Sequence, residues 1–292
     1  MPSLPYRIVD VFTDTPYLGN PLAVVFEADD LTDAQMQRIA REFNLSETVF
    51  VREPERAGTT ARLRIFMPEH ELPFAGHPTI GAAFALVESG HVAASATQFV
   101  LHETIGDIAI RLESRDPFLA WFETPPMTVG ARADRETIAR ALEVEPGDLL
   151  DCPPEVVGAG NNFLFVALRT PEAVDRVVCG SSACRRDPVL AAVEGVFVFA
   201  PVAAGVYARM LAPLAGVSED PATGSATGPL ALYLTRHGLA PLSDGFAFVN
   251  EQGTRMGRRS LIHAKLHVRD NALRTAEIGG GAVPVMAGEL RV

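Results

Sequence analysis

The chain has 292 residues, a length suited to two domains, and its 48% hydrophobic and 21% charged residues supply buried cores rather than disorder. A formal net charge of -11 argues against nonspecific binding to nucleic acid or anionic membranes. Met1 to Asp10 lacks the basic and apolar regions of a secretory signal, and no apolar run reaches the roughly 18–20 residues of a membrane span, so a cytoplasmic location is expected.

In chain order, strands are predicted over 6–12 and 22–26, the second opened by Gly19-Asn20. A helix around 32–43 follows, then strands over 48–51 and 61–66. Residues 78–88 are apolar on every side. With Pro78 read as the first helical residue and Gly90 as the stop, this segment is a helix enclosed by protein. Strands over 107–112 and 118–122 lead to Pro125-Pro126, the expected seam between domains 1–124 and 125–292. In the second half, 226–236 reads as a similar helix ending at Gly238, although Pro229 falls inside it and removes a hydrogen bond or tightens the first turn. Residues 260–268 read as a strand, and Gly279-Gly-Gly281 as a turn before a final strand.

The two halves repeat. Glu71-Leu-Pro-Phe-Ala-Gly-His-Pro-Thr79 shares Glu, Pro, Gly and Thr with Glu219-Asp-Pro-Ala-Thr-Gly-Ser-Ala-Thr227, about half a chain further on. The match continues through Ala83 and Ala231, Leu86 and Leu234, Gly90 and Gly238. Upstream, Glu47-Thr-Val-Phe-Val51 echoes Glu194-Gly-Val-Phe-Val198, and Gly19-Asn20 echoes Gly160-Asn161. Four ordered blocks point to a duplicated fold: an α+β protein of two pseudo-symmetric domains, each a sheet curled around one apolar helix.

Each helix starts just after a Gly-rich turn. A helix N-terminus carries unpaired N–H groups and about half a positive charge. Two such ends facing one another would suit a carboxylate or a developing oxyanion. Taken singly, the polar residues have plain readings. Glu47 is a loop carboxylate, His77 a turn residue or cap, Asp220 an N-cap, and Ser225 a capping hydroxyl. Taken together, they suggest one site with Glu47 as a partly buried base. His263 and His267 do not form a metal pair, since a strand sets them roughly 13 Å apart. Cys179 and Cys184 lack the second pair of a zinc set. No nucleotide-binding, Walker or Gly-x-Ser-x-Gly motif is present, and acid–base chemistry without a cofactor is expected.

The chain resembles the phenazine-biosynthesis PhzF-like isomerase family over nearly its whole length. The resemblance runs through Val9-Asp-Val-Phe-Thr13, Gly19-Asn-Pro-Leu-Ala-Val24, Asn44-Leu-Ser-Glu-Thr48, Leu72 to Thr79 and Glu219 to Ala226. It implies a diaminopimelate epimerase-like fold, with each domain a barrel-like, mostly antiparallel sheet around a central helix, assembled as a homodimer. It also implies that Glu47 is the acid–base group, that His77, Asp220 and Ser225 line the substrate pocket, and that Gly76 and Gly224 hold a substrate carboxylate. The related epimerases use two cysteines. The turns here, with Ala75 and Pro221, have none, so isomerisation is expected over two-thiol racemisation. The substrate expected is a small carboxylic acid.

Overall fold

A computed structural model describes residues 3–214 and 216–292. The chain divides into two compact units. The first comprises residues 3–123 with Gly279–Val292, and the second is Thr124–Ile278.

Unit 1 contains β1 (Ser3–Val11), β2 (Asn20–Val25), α1 (Asp33–Phe43), β3 (Glu47–Arg52), β4 (Ala61–Phe66), β5 (Glu71–Leu72), α2 (Gly76–Glu88), β6 (Gln98–Glu103), β7 (Gly106–Arg115) and β8 (Phe118–Glu123). The C-terminal strand Ala282–Arg291 pairs antiparallel with β1 over its full length, which ties the chain end to this unit. Antiparallel pairs β1–β2, β3–β4, β4–β5, β6–β7 and β7–β8 are interrupted by two parallel pairs, β2–β3 and β4–β6.

Unit 2 contains β9 (Thr128–Arg132), α3 (Arg135–Ala141), β10 (Glu155–Ala159), β11 (Asn161–Ala167), α4 (Pro171–Arg176), α5 (Ser181–Arg186), β12 (Gly195–Val202), β13 (Gly205–Ala212), β14 (Val217–Asp220), α6 (Gly224–Arg236), β15 (Ala247–Gln252), β16 (Ser260–Arg269) and β17 (Ala272–Gly280) up to Ile278, the last two residues of β17 belonging to unit 1. Its ladder repeats the order of unit 1. β10–β11, β12–β13, β13–β14 and β15–β16 are antiparallel, and β11–β12 and β13–β15 are parallel. The expected α+β fold of two similar units is the one observed.

The central helices are the expected ones, but both begin two residues early, at Gly76 and Gly224. Pro78 is therefore the third helical residue rather than the first. The first-turn N–H groups have no intrahelical acceptor, so a proline at any of these positions forfeits nothing. The first α-helical bond of α2 runs from Thr79 N to Ala75 O, 3.2 Å. Pro229 is the sixth residue of α6 and leaves the Ser225 carbonyl without its helical donor. The first turn of α6 is tight, with Ala226 N bonding Thr223 O at 3.1 Å.

Burial explains the uniform apolarity of α2. Every residue from Gly76 to Leu86 is buried, with β1, β2, β3, β8 and the C-terminal strand packed around the helix. On the other side of the sheet, α1 lays Met36 and Ala40 over Val25, Phe50 and Phe66. β2 is thus covered on both faces and reads Pro-Leu-Ala-Val-Val without alternation. Thr32 starts α1 with a capping box to Gln35.

Gly279 and Gly280 depart from the expected turn and lie at the end of β17. A Cβ on Gly279 would sit 2.3 Å from the Trp121 ring, and one on Gly280 2.2 Å from the Phe12 ring. Close approach to aromatic rings, rather than a bend, explains these glycines.

Gly81 fixes the seat of α2 in the same way. A Cβ there would lie 2.5 Å from Leu22 Cδ2, 2.8 Å from Val11 Cγ2 and 3.3 Å from Val9 Cγ2, all on wholly buried side chains. Gly81→Ala gains up to about 1 kcal/mol of helix propensity, but overpacking of this kind costs about 1–3 kcal/mol. Urea unfolding of the variant is expected to show net destabilisation.

Candidate functional site

Parallel pairing of β2 with β3 brings the starts of both strands to one end of the sheet, with Leu22 opposite Glu47. Asn20 opens β2, Glu47 opens β3, and α2 begins nearby with Gly76 and His77. Nδ1 of His77 lies 3.4 Å from Oε2 of Glu47 and 3.3 Å from Nδ2 of Asn20. The His77 side chain is 4% exposed and that of Glu47 13%. The structure thus brings Glu47, His77 and Gly76 together at one helix start.

Burial pushes the His77 imidazole down to a pKa of about 3, so it is neutral near pH 7 and its contact with Glu47 is not an ion pair. The Asn20 amide donates to Nδ1, which places the ring proton on Nε2. That Nε2 is buried, and none of the described residues is its hydrogen-bond partner. The N-cap of α2 is Ala75, whose side chain cannot bond the first-turn N–H groups. A neutral imidazole donor, backbone N–H groups and a carboxylate base therefore share this corner. The set can hold an anion and move a proton.

The start of α6 carries the second set. Its N-cap, Thr223, makes no side-chain cap bond. Instead Thr223 Oγ1 donates to Asp220 Oδ2 at 2.6 Å. Gln252 clamps the turn by donating Nε2 to Asp220 O, 2.8 Å, and accepting from Thr223 N at Oε1, 3.2 Å. Asp220 and Ser225 are each 7% exposed. Ser225 occupies the helical position that His77 holds in α2, and Gly224 that of Gly76. Asp220 is thus not the N-cap. It precedes the turn and is oriented by Thr223.

Asn20 and Gln252 escaped the sequence reading as site residues. The echo of Gly19-Asn20 in Gly160-Asn161 marked Asn20 as a repeated strand opening, and only the fold shows its amide at His77. Gln252 has no counterpart signal at all.

Outside these corners, Cys179 and Cys184 approach to 2.8 Å between sulfurs. Both are free thiols, and burial together with its neighbour pushes the Cys179 thiol well above the ordinary range. Among the described residues no cluster of three metal-type side chains forms, and His263 and His267 lie on strand β16. No helix among them is long and apolar enough to cross a membrane.

The phenazine biosynthesis-like protein family, PhzC-PhzF, matches residues 9–288. The chain belongs to this family. A trans-2,3-dihydro-3-hydroxyanthranilate isomerase of Pseudomonas fluorescens is 38% identical over 95% of this chain and 96% of that protein. The Pseudomonas aeruginosa enzyme of the same name is 35% identical over 97% and 98%. Among solved structures, a Pseudomonas aeruginosa protein titled a predicted epimerase is 32% identical, with TM-score 0.83 over 99% of both chains. A hydroxyproline epimerase from Agrobacterium vitis, 15% identical with TM-score 0.70, shares the fold over 99% of this chain and 91% of its own. This PhzF-like protein is an enzyme of the isomerase class.

The state of His77 has a measurable consequence. Its folded pKa lies below the ordinary 6.5, so the folded state resists protonation. The stability contributed by the neutral ring is full above pH 6.5 and is lost as pH falls toward about 3, at up to about 1.4 kcal/mol per pH unit. Urea unfolding across this window is expected to show the advantage of the wild type over His77→Gln shrinking with acidity. An advantage that stayed flat would show that His77 is not held neutral.

Proposed function

We propose that this PhzF-like isomerase moves a proton between carbons of a small, unsaturated or cyclic carboxylic acid, with Glu47 as the acid–base group. The supporting observation is the grouping of a carboxylate and a neutral imidazole 3.4 Å apart at the uncapped start of a buried helix. Glu47 takes a proton from a carbon next to a conjugated system. The electron pair moves along that system, and the same carboxyl returns the proton at another carbon. The double bond relocates, and neither mass nor oxidation state changes. Nε2–H of His77 and the N–H groups at Gly76 stabilise the charge that builds up between the two steps. Asp220, Ser225 and the N–H groups at Gly224 are the further substrate contacts in this reading. The family resemblance supports a homodimeric assembly and a cytoplasmic location as parts of the same proposal, and sedimentation velocity tests the first.

Neither helix-start turn offers a thiol, since the N-caps are Ala75 and Thr223. This favours a single carboxylate acting on one face over epimerisation by two cysteines on opposite faces.

The experiment is a screen of small carboxylic acids in deuterated buffer by NMR, beginning with trans-2,3-dihydro-3-hydroxyanthranilate, the substrate named for relatives. Deuterium is expected at the carbon that regains a proton, with the double bond moved. An inverted centre would indicate epimerisation, and loss of water dehydration. Glu47→Gln is expected to lower turnover by about 10²–10⁴-fold with the fold intact. Full turnover in that variant removes Glu47 from the mechanism. Binding without carbon–hydrogen exchange would point to a scaffold that binds ligand without catalysis.

A further inference from the structure

Thr79 and Thr227 occupy the same position in α2 and α6, and each hydroxyl joins a short chain that ends on the N-cap carbonyl. In α6, Thr227 Oγ1 donates to Thr223 O at 3.3 Å and accepts from Asn250 Nδ2 at 3.0 Å. Glu103 meets Thr79 from β6 as Asn250 meets Thr227 from β15, and the two strands take equivalent places, β6 parallel to β4 and β15 parallel to β13, although Glu103 lies two residues further along its strand than Asn250. In α2, Thr79 Oγ1 lies 2.8 Å from Ala75 O and 2.7 Å from Glu103 Oε1.

A hydroxyl has one proton to give. The Ala75 carbonyl only accepts, and an ionised Glu103 would only accept as well. Both contacts are satisfied together when Glu103 carries a proton and plays the donor role of Asn250. The surroundings agree. Glu103 is wholly buried, and burial lifts its carboxyl to a pKa of about 8. The charged group that acts on it is Arg62 of β4, whose guanidinium donates to Leu63 O, His102 O and Thr104 Oγ1 and lies 3.7 Å from Glu55. From the β6–β7 hairpin, His102 pairs with Asp107.

We propose that Glu103 is a protonated positioning residue. It donates its carboxyl O–H to Thr79, which leaves the Thr79 proton for the Ala75 carbonyl and holds the first turn in its anion-binding form. The proposal rests on the reading that this turn binds substrate. When Glu103 ionises, the Thr79 proton turns to the carboxylate, the Ala75 carbonyl loses it, and a negative charge appears beside the turn. An anionic substrate then binds less well.

Three measurements on the full chain test this. In infrared difference spectra, the wild type is expected to lose a buried carboxylic-acid band with a midpoint near pH 8. Glu103→Gln, which keeps a neutral donor, should lack the band. No band in the wild type, or the same band in the variant, overturns the protonation. Amide hydrogen exchange over residues 75–80 at pH 7 is expected to match the wild type in Glu103→Gln and to be faster in Glu103→Leu. Equal exchange in all three overturns the positioning role. With trans-2,3-dihydro-3-hydroxyanthranilate, or another acid that turns over, KM of the wild type is expected to rise about tenfold from pH 7 to pH 9, because roughly one molecule in eleven stays protonated one unit above a pKa of about 8. KM of Glu103→Gln should stay flat, and parallel profiles overturn the link to binding. If no acid turns over, the catalytic reading fails by itself, and the first two measurements still decide the role of Glu103.

Discussion

A helix enclosed by protein on every side must still place its first N–H groups somewhere, and this constraint organises both units. At the starts of α2 and α6 neither water-facing side chains nor a capping hydroxyl meets those groups, since Ala75 and Thr223 make no side-chain cap. Replacing a good cap by alanine costs roughly 0.5–2 kcal/mol. Two buried starts without a side-chain cap thus forgo that contribution.

Burial also decides the chemistry of the groups around the first turn. The same exclusion of water that keeps the His77 ring neutral raises the Glu103 carboxyl, because in each case the charged form loses its hydration. Both residues are then neutral hydrogen-bond donors near pH 7. Glu47, at the edge of the same corner, retains some solvent exposure. Two titratable side chains thus act as fixed donors, and the partly exposed carboxylate is left as the candidate proton carrier.

Duplication supplied two equivalent turns, and their divergence is informative. Glu103 and Asn250 differ in residue type yet meet equivalent threonines from equivalent strands. Gly81 and Pro229 share a helical position. Gly81 lets α2 approach β1 and β2 closely, whereas Pro229 frees the Ser225 carbonyl. His77 and Ser225 share another, one turn offering a ring and the other a hydroxyl. The scaffold is repeated, while the side chains presented by each turn are not.

The sequence by itself determined the class of fold, the two central helices and the candidate residues at their starts. Apolarity on every side of a helix, and blocks repeated in order, are local or additive signals that survive in one dimension. Sequence pattern places the starts of those helices two residues late, and at α2 the reason is that Pro78 marks the first turn without marking its first residue. The glycines at 279 and 280 look like a turn in the sequence, because their reason is the rings of Trp121 and Phe12, far away along the chain. Only tertiary structure decided that Asn20 faces His77, that Gln252 clamps Asp220 and Thr223, and that Glu103 meets Thr79. Those pairings depend on strand register and burial. Hydrogen-bond partners and the loss of water around a charge are properties of the folded neighbourhood, and no spacing along the chain encodes them.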